Sequence, residues 1–134
     1  MNNIVWVNGC FDCIHLGHLE LLQFAHERGD ELWVGIESDE RVREKKGVGR
    51  PIQDQETRKT IVESFWFVDR VSLYTTNEEL EMLINEARPN TMVIGDKYKN
   101  TPIIGSEFCD FINFFPRLEQ YSSNKIVENL SSSL

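Results

Sequence analysis

Residues 4–25 constrain this chain more than any other stretch. Four apolar residues, Ile4-Val5-Trp6-Val7, are cut off by Asn8-Gly9, and the pattern then changes to a helical one through Leu19, Leu21, Leu22, Phe24 and Ala25. The first run reads as a strand broken by the Asn-Gly dipeptide. The second begins near Gly17-His18 and is apolar on more than one face, as expected of a helix buried against a sheet. Two histidines, His15 and His18, flank Gly17 where the helix starts. A helix N-terminus offers free N–H groups and a partial positive charge, so it attracts anions. Imidazole donors at that point would add hydrogen bonds to phosphate oxygens, and Gly17 would let a phosphate approach the backbone.

The same alternation continues. Glu31 to Ile36 reads as a second strand, after a glycine stop at Arg28-Gly29-Asp30. Ser38-Asp39 caps a charged helix ending at Lys46, with Val42 its only aliphatic anchor. Residues 47–51 form a glycine-rich loop, and 55–65 a helix. A strand at 68–73 precedes a helix from Glu78 to Ala87, capped by Asn77, in which Leu80, Leu83, Ile84 and Ala87 recur at helical spacing. Thr91 to Ile94 is a strand ending at Gly95-Asp96. A polar loop covers 97–104, a short helix 106–110, a strand 111–115 and a last helix 122–130. Strands alternating with helices predict an α/β fold, a doubly wound parallel sheet of about five strands with helices on both faces. Ligands bind such sheets beyond the carboxyl ends of the strands, which places Asn8-Gly9, Glu37-Ser38 and Gly95-Asp96 at the expected site.

At 134 residues the chain is long enough for one domain, read as 1–130 with a frayed tail at 131–134. A net charge of −8 argues against a general nucleic-acid surface, which needs clustered positive charge. No apolar run approaches a membrane span. The N-terminus has no basic-then-apolar leader pattern, and three cysteines make no disulfide framework; a cytoplasmic location is expected.

Gly9, Phe11, Asp12, His15, Gly17 and His18 complete a GxFDxxHxGH pattern that resembles the HxGH signature of the cytidylyltransferase-like nucleotidyltransferases. Lys46-Gly47-Val48-Gly49-Arg50-Pro51, followed by Glu56 and Arg58, resembles the LKGxxRP and ExR segments of bacterial heptose-1-phosphate adenylyltransferases. Arg117 to Ile126 resembles the family's RxEGxSTTxI motif, with Gln120 in place of its glycine and Ser123 and Asn124 in place of its threonines. Gly95-Asp96 matches the strand end found in the family's cytidylyltransferases.

The resemblance implies a Rossmann-like fold and transfer of a nucleoside monophosphate from ATP or CTP to a phosphorylated sugar or polyol, with release of pyrophosphate. It implies catalytic roles for His15, His18 and Lys46. Nucleotide contacts fall to Gly9, Cys10, Phe11, Asp12, Gly17, Gly95, Asp96, Arg117, Ser122, Ser123 and Asn124, and acceptor contacts to Arg50 and Arg58. Mg²⁺ would enter with the nucleotide, held by no dedicated protein ligands. Asp12 could orient a histidine or the metal's water shell. A homodimer is implied too, and the crowding of Phe108, Phe111, Phe114 and Phe115 suggests the same, since one face of that strand would otherwise leave rings in water.

Other readings stay open. Glycerol-3-phosphate cytidylyltransferase is the nearest alternative, on Gly95-Asp96 and Lys125. A non-catalytic nucleotide-binding module could use the same fold. Cys10 and Cys13 form a C-x-x-C that could be redox-active or bind zinc with the histidines, although four ligands within nine residues would crowd one metal; small half-buried packing residues are the simpler expectation. Lys45, Lys46 and Arg50 could be a solvated loop, and Ser122 a plain helix cap.

Overall fold

The computed structural model describes residues 2–116. Five strands and four α-helices follow one another in these residues: β1 (Ile4–Gly9), α1 (Leu16–His26), β2 (Glu31–Glu37), α2 (Asp39–Lys46), α3 (Gln55–Glu63), β3 (Arg70–Tyr74), α4 (Asn77–Ala87), β4 (Thr91–Gly95) and β5 (Phe111–Phe115). The strands form one parallel sheet in the order β3-β2-β1-β4-β5. The helix expected at 122–130, the tail and the motif carrying Arg117, Ser122, Ser123 and Asn124 lie outside the described residues. Among those described, no helix is long and apolar enough to cross a membrane.

The sheet is buried on both faces, which is why its inner strands read as unbroken apolar runs rather than as alternating ones. Along β1, successive side chains point to opposite faces. Val5 and Val7 join Leu32, Val34, Ile36 and Val93 in one core, closed by Leu22 and Ala25 of α1 and Val62 of α3. Trp6 and Met92 join the second core, closed by Leu80, Ile84 and Ala87 of α4. Each such fully buried aliphatic side chain contributes about 1.5–3 kcal/mol. The expected doubly wound sheet is thus present, with helices on both faces.

Several boundaries differ from expectation. Asn8 and Gly9 continue β1 in register with Gly35 and Ile36, so the Asn-Gly pair forms the last two residues of the strand instead of breaking it after Val7. Thr76, not Asn77, caps α4, accepting from Glu79 N at 3.0 Å. Gly29 is no left-handed helix stop: α1 ends at Glu27 with ordinary αR geometry. Glycine is needed there for space, since a Cβ would lie 2.7 Å from Val5 Cγ2 and 2.9 Å from Asn3 O. The short helix expected at 106–110 is a single 3₁₀ turn, Ser106–Phe108.

The phenylalanine-rich strand, β5, lies at a sheet edge. Phe115 turns inward, its ring centroid 5.0 Å from that of Phe24, and Phe108 and Ile112 pack on the second core. Phe111 stays 66% exposed.

Candidate active site

β1 is followed in sequence by β2 on one side and paired with β4 on the other, so the strand order reverses beside it. The carboxyl ends diverge at such a switch point and leave a crevice. A cleft of about 480 Å³ opens there. Gly9, Cys10, Phe11, His15, Gly17, His18, Lys46 and Gly95, all expected at the ligand, line it.

The turn from β1 to α1 is conformationally costly. Phe11 and Cys13 both adopt positive φ, 54° and 53°, a region most side chains avoid and that persists only when surrounding contacts enforce it. Those contacts are visible. The Asp12 carboxylate, fully buried, accepts from Ile52 N at 2.8 Å and Gln53 N at 2.9 Å and lies 3.4 Å from Arg50 Nε. Cys13 N donates to Gln53 Oε1 at 3.1 Å. Arg58, also fully buried, donates to Cys10 O (2.8 Å), Gln53 O (3.0 Å), Glu37 O (2.7 Å) and Asp39 Oδ1 (2.9 Å). The turn is thereby tied to the 50–58 segment and to the end of β2.

Three residues expected at the ligand, Asp12, Arg50 and Arg58, are not among those that line the cleft. Asp12 and Arg58 stand behind the cleft wall, where they brace the turn. The Asp12 carboxylate holds the 52–53 backbone. Arg50 approaches the same buried carboxylate, its side chain 13% exposed. Asp96, by contrast, is exposed, in the 3₁₀ turn that follows β4, and of the Gly95-Asp96 pair it is Gly95 that reaches the cleft wall.

The two histidines cap α1 reciprocally. His15 is the N-cap residue, and its Nδ1 accepts from Gly17 N at 3.0 Å. His18 Nδ1 accepts from His15 N at 3.1 Å. The arrangement is a capping box built from imidazoles instead of the usual hydroxyl and carboxylate. An imidazole nitrogen that accepts carries no proton, so in this cap both rings are neutral, with the proton on Nε2. The ring centroids lie 4.0 Å apart. The cap thus fixes both tautomers and makes each Nε2 an N–H donor.

Lys46 ends α2, beside Gly47 at φ 92°. A lysine there suits the negative end of the helix dipole, so part of its role is ordinary capping; it also borders the cleft, with Lys45. Cys10 and Cys13 are free and half-buried, as expected of packing residues, and burial pushes both thiols above their usual range. A raised thiol is less nucleophilic, contrary to what a redox pair requires. Among the described residues no group of three or more His, Cys, Asp or Glu could hold a metal ion.

Two further walls complete the cleft, and of their residues Asn8 and Glu37 stand at strand ends that the sequence already places at the site. Toward β4 the lining is apolar, with Met92, Ile94, Ile103 and Ile104; the last two come from a segment that reads as a polar loop. Toward β2 and β3 it is polar, with Asn8, Glu37, Arg41 and Tyr74. Glu37 stands at a strand end, and Arg41 follows it at i+4, which is a legible signal. Nothing local marks Tyr74, which reaches the site through the parallel pairing of β3 with β2.

The chain matches the cytidylyltransferase-like family model over residues 6–133. Among curated proteins it is 36% identical over 127 residues to the bifunctional protein HldE of Campylobacter jejuni (strain RM1221), covering 95% of this chain and 27% of that protein. It is 39% identical over 129 residues to the bifunctional protein HldE of a Nitratiruptor species, covering 96% and 28%. The chain therefore spans just over a quarter of the length of these relatives. A crystal structure of the lipopolysaccharide core biosynthesis protein from Thermoplasma volcanium GSS1 superimposes with a TM-score of 0.69 at 24% identity, over 88% of this chain and 98% of that one, which shows a shared fold. The family match over nearly the whole length, together with the parallel 3-2-1-4-5 sheet and the histidine-capped helix at its switch point, makes this chain a member of the cytidylyltransferase-like family.

Proposed function

We propose that the chain is a nucleotidyltransferase that moves AMP from ATP to a sugar phosphate such as heptose 1-phosphate. An oxygen of the acceptor phosphate attacks the α-phosphorus, the bond from that phosphorus to the bridging oxygen breaks, and pyrophosphate leaves. A phosphate monoester is largely ionised near neutral pH, its second pKa being about 6, so the attack needs no general base. It needs alignment, and charge stabilisation on the phosphates.

The observation that carries this proposal is the pair of imidazoles at the start of α1, each with its Nδ1 taken up as an acceptor in the helix cap, which leaves Nε2 as the donor. Such donors, beside a helix N-terminus, suit oxygens whose negative charge grows in the transition state. Lys46 would add a mobile cation. Arg117, Ser122, Ser123 and Asn124 would clamp the far phosphates, and the apolar β4 wall would take the base. On the phosphate side the lining side chains are donors and cations, while Glu37, on the opposite wall, has its Oε2 held by Arg41 and Lys45. That set fits Mg²⁺ carried in on the triphosphate, where it would neutralise phosphate charge. Asp12, Arg50 and Arg58 would act by holding the turn.

The test is pyrophosphate release with ATP or CTP against a panel of phosphorylated sugars and polyols. ATP with a sugar 1-phosphate is expected to give the highest kcat/KM. A preference for CTP with glycerol 3-phosphate would favour the cytidylyltransferase alternative that Gly95-Asp96 suggests, and an absence of release with every acceptor in the panel would favour a non-catalytic nucleotide-binding module. Lys46→Ala should lower kcat with little change in melting temperature, because an exposed lysine contributes little to folding; unchanged turnover would reduce Lys46 to a solvated charge.

We further propose a cytoplasmic homodimer that covers the exposed ring of Phe111 on the edge strand. Light scattering at micromolar concentration should give twice the mass of one chain, and Phe111→Glu should lower it; a wild-type monomer would refute the dimer.

A further inference from the structure

The polar wall of the cleft contains two groups whose hydrogen-bonding capacity is not used up by the described protein. Glu37 is 5% exposed at the end of β2. Arg41 Nε (2.9 Å) and Lys45 Nζ (2.8 Å) both bond the same oxygen, Oε2. Oε1 has no hydrogen bond to a described residue, and Glu37 lines the cleft. Across the β2–β3 pairing, Glu37 stands beside Tyr74. Tyr74 is 2% exposed, and its hydroxyl accepts from Asn8 Nδ2 at 3.3 Å. Its own proton has no acceptor among the described residues, yet the side chain borders the same cleft. Both groups border the cleft with hydrogen-bonding capacity left for a ligand or water.

The pair therefore offers one strong acceptor, a carboxylate oxygen, and one donor, a phenolic O–H. A carboxylate disfavours a phosphate at that point. A donor beside an acceptor suits a group that is itself both, which is an alcohol. The flat apolar component of a nucleotide has its own wall toward β4, and the phosphates have the start of α1. The remaining, polar wall faces the other substrate.

We infer that Glu37 and Tyr74 form a hydroxyl-reading subsite for the acceptor, in which Glu37 Oε1 accepts from, and Tyr74 Oη donates to, hydroxyl groups of a phosphorylated polyol. This rests on the nucleotidyltransferase proposal for the identity of the second substrate, but it makes a binding claim that stands or falls without turnover. Arg41 is a positioning residue here: it bonds Glu37 and, through Nη1, Thr75 O at 3.1 Å, and its guanidinium lies over the Tyr74 ring at 5.1 Å. It thus holds both members of the pair.

The test is calorimetric binding of two probes: heptose 1-phosphate, and isopropyl phosphate, which has the same phosphate monoester and no free hydroxyl. Wild type should bind the heptose phosphate at least roughly tenfold more tightly, since a site built to pair with hydroxyls rejects analogues lacking them. Tyr74→Phe removes only the hydroxyl and Glu37→Gln only the charge. Each should shrink that gap several-fold while ATP affinity changes less than twofold and the melting temperature shows the variants folded. Equal binding of the two probes by wild type overturns the inference. So does an unchanged gap in both variants, or a loss of ATP affinity in place of sugar affinity, which would assign the pair to the nucleotide's ribose. A selective gap without turnover would leave the subsite standing and refute the enzymatic proposal; turnover without a gap would do the reverse.

Discussion

Replacing His18 with alanine should lower kcat by about 10²–10³-fold, the usual cost of removing one preorganised donor from a site of developing charge. The structure divides that side chain into two functions. Nδ1 accepts from His15 N and belongs to the helix cap; Nε2 is the nitrogen that carries the donor proton. Alanine loses both, so a fall in stability of about 0.5–2 kcal/mol, typical of a lost cap, should accompany the fall in rate. Two further variants separate the parts. Asparagine places an acceptor where Nδ1 stands but does not reach the position of Nε2, so His18→Asn should restore the melting temperature and leave turnover low. Glutamine reaches farther and carries its N–H near the position of Nε2, so His18→Gln should recover part of the rate. The measurements are steady-state kcat and thermal unfolding. If His18→Ala is fully active, the donor role is wrong; if Asn and Gln behave alike in both assays, the division between the two nitrogens is wrong.

Arg58→Ala should destabilise the fold more than any of the cleft substitutions does. The guanidinium is fully buried and donates to three backbone carbonyls and to Asp39. Truncation strands those acceptors and leaves Asp39, 30% exposed, without this partner. Breaking such a buried, hydrogen-bonded pair costs about 3–5 kcal/mol, a fall in melting temperature of roughly 10–20 °C for a domain of this size. Arg58→Lys should recover less than half of that. One ammonium is a point charge with three donors, and it cannot span acceptors on the 10–13 turn, the 53 segment and the end of β2. The site should suffer indirectly, because Phe11 and Cys13 hold their positive φ only while the 50–58 segment clamps the turn. Thermal melts together with ATP titration below the melting temperature distinguish this from direct contact. A melting temperature equal to wild type, with acceptor binding abolished, would return Arg58 to the ligand.

The alternation of apolar runs with helical periodicity was enough to give five parallel strands with helices on both faces, because a strand buried on both sides must be apolar at every position. Local pattern also located one wall of the cleft: His15, Gly17 and His18 sit where a strand gives way to a helix, and that junction is set by neighbours in sequence. Tertiary structure alone decided which charged residues face the cleft. Arg50, Arg58 and Asp12 have the same composition and spacing whether they touch a ligand or brace a turn. The choice depends on contacts between distant positions, such as Asp12 to Ile52 and Arg58 to Cys10. The polar wall is of the same kind. Glu37 and Tyr74 are separated by two helices in the chain and become neighbours only through parallel register. Glu37 could be placed at the site from its position at a strand end, but that Tyr74 borders the same cleft is a property of the packing, with no trace in its local sequence.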